Sequence, residues 1–240
     1  MFIIPMAGLS SRFFKAGFKK PKYMLPLGES FVFNEVVKSF KKYFGTDLFL
    51  FIIRNEVGVF NFVDNSCKKL GIINYEIVTI DFDTRGQADT VYEGLKISNK
   101  FLSNEEVYIF NIDSIRLNFK KPKFSFLKNI TGYLEVFEGE GNHWSFVDPI
   151  DFEIVNKTTE KIKISNLCSN GLYYFNTVLK FKECFRKMEL DNDYNELFVA
   201  PMYNFLIQDK KIVKYIKVDK NNTLFAGTPE EYEVLRKTYI

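Results

Sequence analysis

The chain of 240 residues is 46% hydrophobic, enough to bury one sizeable core or two small, closely joined ones, and we expect a single domain over residues 1–240. Its 33 basic and 30 acidic residues leave a formal net charge of only +3, which argues against a nucleic-acid or membrane-surface partner. The longest unbroken apolar run, residues 48–53, is far shorter than the roughly 20 residues of a membrane-spanning helix. With no recognisable secretory leader, the sequence predicts a cytoplasmic protein, and it leaves open whether the chain forms a homo-oligomer.

The first half of the chain alternates apolar runs typical of buried strands with segments of helical period. In chain order, we predict a strand at 2–5, a helix at 33–43, a strand at 48–54, a helix at 59–70, a strand at 75–80, a helix at 89–97 and a strand at 107–113. Strands that alternate with helices in this way form a mainly parallel sheet with helices on both faces. The sequence therefore predicts a Rossmann-like α/β fold with a mixed, mainly parallel sheet, whose ligands bind beyond the carboxyl ends of the strands.

The second half has a different sequence pattern, with long polar connections between its predicted elements. We predict strands at 131–138 and 172–175, helices at 176–188 and 194–208, and a last strand at 212–218. A final helix begins after Thr228, which caps it, with Pro229 at its first position and two glutamates in its first turn. The sequence contains no internal repeat and no linker, so this half is predicted to extend the first half and not to form a domain of its own.

The loop after the first strand, residues 7–11, consists of small residues apart from Leu9. Main-chain N–H groups in such a loop can approach a ligand closely because no large side chain stands in the way. Arg12 then offers a planar fork of donors suited to phosphate oxygens, and Lys22 adds a compact positive charge. These features are typical of a site for a nucleoside triphosphate. The spacing matches neither the Walker A pattern nor G-x-G-x-x-G, and a plain solvated connection would contain similar residues.

Segments spread over nearly the whole chain resemble, in order, the motifs of the sugar-nucleotide pyrophosphorylase superfamily of nucleotidyltransferases. The matching segments are IPMAGLSSRF, PKYMLPLG, RGQADTVYEG, YIFNIDSI, TEKIKISNLCSNGLYYF, VAPMYNFLI and FAGTPEEY. Enzymes of this superfamily join a nucleoside triphosphate to a phosphorylated acceptor and release pyrophosphate. The resemblance therefore implies a transferase with a GT-A-like nucleotidyltransferase fold, with a nucleotide-binding half over residues 1–118 and an acceptor-binding half over residues 119–240.

The resemblance also implies which residues contact the substrates. The residues expected to contact the nucleotide are Met6, Ala7, Gly8, Ser10, Ser11, Arg12, Lys22, Gly86, Gln87 and Ala88. The residues expected to contact the acceptor are Trp144, Ser145, Glu160, Lys161 and Gly171. Catalysis of this kind consists mainly of positioning the reacting groups and neutralising the charge of the phosphates, and the expected catalytic residues are Arg12, Lys22 and Lys161.

In this family an aspartate after the central strand binds Mg²⁺, and Asp113 stands at that position, with Mn²⁺ as the alternative ion. Carboxylate oxygens suit a hard divalent cation, and one or two of them suffice because substrate phosphates and water complete the shell. The family's frequent second metal aspartate lies two residues before the glycine of FAGTPEEY, where this chain has Phe225. Another carboxylate such as Asp219, or water, is then expected to take its place.

The short chain without a C-terminal β-helix, and the segments HWSF, EKIKIS and SNGLYYF, are most similar to the bacterial capsule-pathway cytidylyltransferases of the superfamily. That similarity implies CTP as the donor and a small phosphorylated acceptor, with L-glutamine phosphate favoured over a sugar 1-phosphate or phosphocholine. The residues themselves do not distinguish cytosine from uracil or thymine. Two other interpretations stay open: a nucleotide-sugar-dependent glycosyltransferase, which the lack of a D-x-D motif ending at Asp113 disfavours, and a non-catalytic nucleotide sensor, which would account for Phe225.

Overall fold

A computed structural model of the chain describes residues 1–151, 153–191 and 193–239. Its strands are β1 (Phe2–Met6), β2 (Pro26–Leu27), β3 (Ser30–Phe31), β4 (Phe49–Arg54), β5 (Tyr75–Ile80), β6 (Val107–Phe110), β7 (Ser114–Arg116), β8 (Gly132–Glu138), β9 (Ser145–Pro149), β10 (Val155–Glu160), β11 (Leu167–Phe175), β12 (Val213–Lys217) and β13 (Thr223–Phe225). Its helices are α1 (Ser11–Lys15), α2 (Val32–Lys38), α3 (Val59–Leu70), α4 (Gln87–Ile97), α5 (Phe124–Leu127), α6 (Val178–Glu189), α7 (Val199–Gln208) and α8 (Pro229–Lys237). Within the described ranges, no helix has both the length and the apolar character needed to cross a lipid bilayer.

Nine of the described strands form one sheet, in which neighbours run in the order β10-β9-β11-β6-β1-β4-β5, and β8 joins β11 to β12. The strands of the first half, β6, β1, β4 and β5, are parallel, whereas β11 runs antiparallel to β6, β8 and β9. This mixed, mainly parallel sheet flanked by helices confirms the predicted fold class. It also joins the two halves of the chain, because β11 of the second half is hydrogen-bonded to β6 of the first.

The central strands of the sheet are buried on both faces, which explains their unbroken apolar sequences. Because successive side chains of a strand point to opposite faces, β1 and β4 contribute to two separate cores. Ile3 and Leu50 belong to one core, which α4, α6 and α7 cover, whereas Phe2 and Phe49 belong to the other, which α2, α3 and α8 cover. Helices on both faces leave the carboxyl ends of the parallel strands as the edge at which a ligand can reach the sheet.

The structure differs from the predicted elements mainly in the second half. A hairpin of β9 and β10 lies where polar connections were expected, because β10 is at the edge of the sheet and keeps polar side chains on its exposed face. The predicted helix at 194–208 begins only at Val199, and the predicted helix at 33–43 ends at Lys38, before a separate 3-10 turn at Lys41–Tyr43. β11 begins five residues earlier than predicted, since Gly171 interrupts its apolar pattern without ending the strand.

A buried ion pair connects the strand after β6 to the centre of the sheet. The guanidinium of Arg116 on β7 donates to Glu135 on β8, with Nε 2.6 Å from Oε2, and the two residues are 9% and 3% exposed. Asn170 on β11 donates a further hydrogen bond to the same carboxylate oxygen at 2.8 Å. Since a buried charge is tolerated only when it is paired and hydrogen-bonded, these three residues act as a unit that fixes β7 relative to β11.

Replacing Glu135 by alanine is expected to lower the free energy of unfolding by about 3–5 kcal/mol, because the charge of Arg116 would stay buried without its partner. Urea unfolding followed by circular dichroism measures the change. Glu138 on the same strand is the matched control, since its ion pair with Lys217 is exposed to solvent and its replacement by alanine should change little. Equal effects of the two substitutions would contradict the special role given to the buried pair.

Candidate active site

A cavity of about 710 Å³ opens at the carboxyl ends of β1, β4 and β6. These ends are marked by Met6, Arg54 and Asn111, which all contribute to its wall. The rest of the wall comes largely from the second half of the chain, chiefly from the start of β9, the end of β10 and the segments before α7 and α8. Both the size and the position of the cavity are those of a small-molecule site in an open α/β sheet.

The loop after β1 forms one wall of the cavity. Its lining residues are Met6, Ala7, Gly8, Leu9, Ser10 and Arg12. Ser10 has a left-handed backbone (φ 48°), and its hydroxyl accepts a hydrogen bond from the N–H of Lys22 at 3.2 Å. This bond ties the loop to the segment of Lys22, so that Lys22 and Arg12 face the same cavity. Ser11, expected to contact the nucleotide, is the first residue of α1 and does not line the cavity.

The turn before α4 forms another wall and is held by the segment that precedes α7. Gly86 has a φ of +144°, and a Cβ added to it would lie 2.5 Å from the carbonyl oxygen of Leu197, so only glycine fits here. The N–H of Ala88 donates to that same oxygen at 2.9 Å, and the N–H of Leu197 donates to the carbonyl oxygen of Arg85 at 2.8 Å. Gly86 and Gln87 line the cavity, whereas Ala88 is buried behind the wall.

Two carboxylates border a small space inside the cavity. Asp113, between β6 and β7, forms an ion pair with Lys22, whose Nζ contacts Oδ2. A Cβ added to Gly227 would lie 3.2 Å from this oxygen and 3.3 Å from Oε2 of Glu231. The N–H groups of Gly227 and Thr228 donate to Oε2 of Glu231 at 2.9 and 3.0 Å and hold the carboxylate in place.

The chemistry of this space suits a divalent cation that binds together with a nucleotide. No three His, Cys, Asp or Glu side chains among the described residues form a metal cage of their own. A hard cation bound to substrate phosphates needs only one or two carboxylates, and the missing Cβ of Gly227 leaves room beside them. Asp219, the expected replacement for the second aspartate, does not line the cavity and instead accepts a hydrogen bond from the N–H of Asn221 at 2.8 Å. The expectation for Asp219 is therefore not met.

Phe225, where the sequence resemblance places the family's second metal aspartate, is part of an aromatic wall. Its ring centroid lies 4.9 Å from that of Trp144 and 5.3 Å from that of Phe137. The indole N–H of Trp144 donates to the carbonyl oxygen of Glu140 at 3.0 Å, and the ring of His143 lies 4.3 Å from the Trp144 ring. Phe225, Trp144 and His143 all line the cavity, which gives this side of the wall an apolar surface.

Glu160, at the end of β10, presents a partly buried carboxylate to the cavity. Burial raises the pKa of this carboxyl above its ordinary value, and the hydroxyl of Ser145, which donates to Oε2, together with the charge of Lys161 offsets part of that rise. The hydroxyl of Tyr173 lies 3.3 Å from that of Ser145, so the three side chains form a row of polar groups. The wall formed by β9, β10 and β11 therefore offers hydroxyl donors near a carboxylate acceptor.

Lys161 and Gly171, both expected to contact the acceptor, do not themselves line the cavity. The Nζ of Lys161 lies 3.1 Å from Oε2 of Glu196 and 4.3 Å from the ring centroid of Phe198, two residues that do line it. Gly171 has a φ of +93°, and its carbonyl oxygen accepts from the N–H of Asn111 at 3.2 Å. A side chain at Gly171 would collide with Asn111, so this glycine supports a residue of the wall.

Several residues of the wall were missed as site residues from the sequence. They are Arg54, Asn111, Asn170, Tyr173, Glu196, Phe198 and Glu231. Asn111, Asn170, Tyr173 and Glu231 stand inside the segments that resemble the family, so the motifs themselves could have indicated them. Glu196 and Phe198 precede α7 in a segment without a motif, and only the structure brings them to the cavity.

No protein-family model matches the chain, and no curated protein matches it significantly. Among solved structures, the chain is 40% identical to a nucleoside-diphosphate-sugar pyrophosphorylase from Vibrio cholerae, with a TM-score of 0.94 over 99% of this chain and 100% of that one. An inositol-1-phosphate CTP transferase from T. maritima shares the fold at 14% identity, with a TM-score of 0.74 over 99% and 95% of the two chains. A UDP-glucose pyrophosphorylase complexed with UDP-glucose does so at 15% identity, with a TM-score of 0.74 over 99% and 97%.

The 40% identity to the Vibrio cholerae structure, together with the shared fold, defines the class of protein, an enzyme of the nucleotidyltransferase type. At 40% identity over the full length of both chains, the chain belongs to the sugar-nucleotide pyrophosphorylase-like nucleotidyltransferase family. The family resemblance found in the sequence is confirmed. Membership of this family argues against the alternative interpretation as a glycosyltransferase.

Replacing Glu160 by glutamine is expected to raise the free energy of unfolding at about pH 7.5, because the wild-type protein has to bury a negative charge there. Burial raises the pKa of this carboxyl in the folded state, so the penalty is absent below the pKa of the unfolded chain, about 4.3, grows as the pH rises above it, and is complete once the pH exceeds the folded-state pKa. Urea unfolding of the wild type and of Glu160→Gln at about pH 4 and about pH 7.5 measures the difference in the free energy of unfolding at each pH. A difference of equal size at both pH values would show that packing, and not charge, causes it.

Proposed function

We propose that the enzyme transfers CMP from CTP to a small phosphorylated acceptor and releases pyrophosphate. The favoured acceptor is L-glutamine phosphate, which gives CDP-L-glutamine for capsular polysaccharide biosynthesis, in line with the resemblance to capsule-pathway cytidylyltransferases. The observation that carries the proposal is a single cavity lined by a loop of small residues, a lysine–aspartate pair and a partly buried glutamate. A cytidylyltransferase, the inositol-1-phosphate CTP transferase of T. maritima, has the same fold.

In this proposal, the first half of the chain, residues 1–118, binds the nucleotide. The loop over residues 6–10 and the turn at Gly86 and Gln87 contact the base and the ribose, since both bring main-chain groups to the cavity wall. Arg12 and Lys22 lie along the triphosphate, where their charges offset those of the phosphates. Residue 88 supports these contacts from behind the wall, and residue 11 begins α1 next to them.

Asp113 is proposed to hold Mg²⁺, or Mn²⁺, together with the phosphates of the nucleotide. The bound ion supplies positive charge that stabilises the phosphates as they react. Lys22 contacts the same carboxylate and lines the same cavity as Arg12, so both basic residues serve the triphosphate next to Asp113.

The second half of the chain, residues 119–240, is proposed to bind the acceptor. Glu160 accepts hydrogen bonds from hydroxyl or ammonium groups of the acceptor, Ser145 donates one, and Trp144 covers an apolar part. Lys161 binds the acceptor phosphate from the rim of the cavity, where its present partner is Glu196. Gly171 contributes indirectly by supporting Asn111.

The reaction proposed for this arrangement needs no covalent help from the protein. An oxygen of the acceptor phosphate attacks the α-phosphorus of CTP, a new P–O bond forms, the bond from the α-phosphorus to the bridging oxygen breaks, and pyrophosphate leaves with that oxygen. The protein lowers the barrier by holding the two phosphates in line and by offsetting their charge with Arg12, Lys22 and Lys161.

The proposed location of the enzyme is the cytoplasm. Cys67, Cys168 and Cys184 are all free and buried, and free thiols are usual in a reducing compartment. Burial raises the pKa of Cys67 and Cys184 to about 12, which keeps both thiols protonated and unreactive.

Pyrophosphate release tests the substrates directly. The enzyme is assayed with Mg²⁺ and each of CTP, UTP, dTTP, ATP and GTP, against L-glutamine phosphate, phosphocholine and several sugar 1-phosphates. Release is expected to require CTP and L-glutamine phosphate. Release only from UTP or dTTP with a sugar 1-phosphate would overturn the assignment of CTP, and no release from any pair, in a folded protein that binds a nucleotide, would favour a non-catalytic sensor.

Replacing Asp113 by alanine is expected to lower kcat by at least about 10²-fold while the fold is kept, because a group that organises charge at the phosphates is lost. Steady-state kinetics and circular dichroism measure the two properties. Asp219→Ala is the matched control, since Asp219 does not line the cavity and its removal should leave kcat unchanged. Normal turnover of Asp113→Ala would refute the role given to this carboxylate.

A further inference from the structure

Glu231 caps a helix and also occupies a position that capping does not explain. It completes a capping box at the start of α8, where its N–H donates to the hydroxyl of Thr228 and its Oε2 accepts from the N–H groups of Gly227 and Thr228. Within the described ranges, no donor contacts its second oxygen, Oε1. Capping a helix does not require a place in a ligand cavity, yet Glu231 lines this one.

The place of Glu231 beside Asp113 is set by the main chain between β13 and α8. The N–H of Ala226 donates to the main-chain oxygen of Asp113 at 2.8 Å, which brings the two segments together. The next residue is Gly227, and the point where its Cβ would stand is 3.2 Å from Oδ2 of Asp113 and 3.3 Å from Oε2 of Glu231. A larger side chain would fill this point, so the glycine keeps open the space that both carboxylates border.

We propose that Glu231 is the second carboxylate of the cation site, next to Asp113, an inference that rests on the proposed function. Phe225, at the usual position of the second aspartate, packs its ring against Trp144 and offers no oxygen ligand. The two hydrogen bonds to Oε2 orient the Glu231 carboxylate, as metal-ligating carboxylates are commonly oriented, and leave Oε1 for the cation or for a water molecule that Mg²⁺ retains.

The experiment separates the charge of Glu231 from its role in the helix cap. Glu231→Gln keeps an oxygen that can accept both N–H bonds, because glutamine also serves in capping boxes, but it removes the negative charge. Glu230→Gln makes the same change of charge in the same helical turn, outside the cavity wall, and is the matched control. The affinity of the enzyme–CTP complex for Mn²⁺ is measured by electron paramagnetic resonance, and the melting temperature of each metal-free variant is recorded.

Glu231→Gln is expected to bind Mn²⁺ about 10-fold or more weakly with an unchanged melting temperature, whereas Glu230→Gln binds it like the wild type. The variant Asp113→Asn tests whether the proposed cation site exists at all, independently of the role of Glu231. If Asp113→Asn binds Mn²⁺ like the wild type, the proposed cation site fails and the inference fails with it. If Asp113→Asn weakens binding and Glu231→Gln does not, only the inference is overturned, and Glu231 serves the helix cap alone.

Discussion

The ion pair between Lys22 and Asp113 is the contact on which the site depends. It joins two residues 91 positions apart in the sequence, one from the segment after the opening loop and one from the connection between β6 and β7. The two side chains are 23% and 20% exposed, so either charge alone would cost free energy in this partly buried place. Because each offsets the other, both charges are held at the cavity without a large loss of stability.

Each member of this pair has its own anchor. The N–H of Lys22 is bound by the hydroxyl of Ser10, which fixes it to the loop after β1. Asp113 is followed directly by β7, where Arg116 is locked to Glu135 at the centre of the sheet. Polar contacts therefore connect both residues to well-packed parts of the protein. These contacts restrict where the side chains of Lys22 and Asp113 can lie at the edge of the sheet.

The sequence predicted the part of the fold that lies deep in the protein. The strands of the first half are apolar on both faces and stand out from their surroundings, whereas β10 is polar and exposed at the edge and gives no comparable signal. The meeting of Lys22 with Asp113 could be expected only through the family resemblance, because no local pattern relates such distant positions. The same resemblance predicted that Ala88 and Lys161 contact the substrates, but it could not show that neither residue lines the cavity. Glu231 was hidden by its clear capping signal, which is complete without any further role.

Leu197 binds the main chain of the turn before α4 through both its N–H and its carbonyl oxygen, and its sequence neighbours Glu196 and Phe198 line the cavity. The turn at Gly86 and the segment before α7 thus form one structural unit, although more than a hundred residues separate them along the chain. Exchange of this turn alone with that of a relative would leave its main-chain partners mismatched. Any graft of this turn therefore has to carry the segment before α7 with it, so that the two parts of the cavity wall are inherited together.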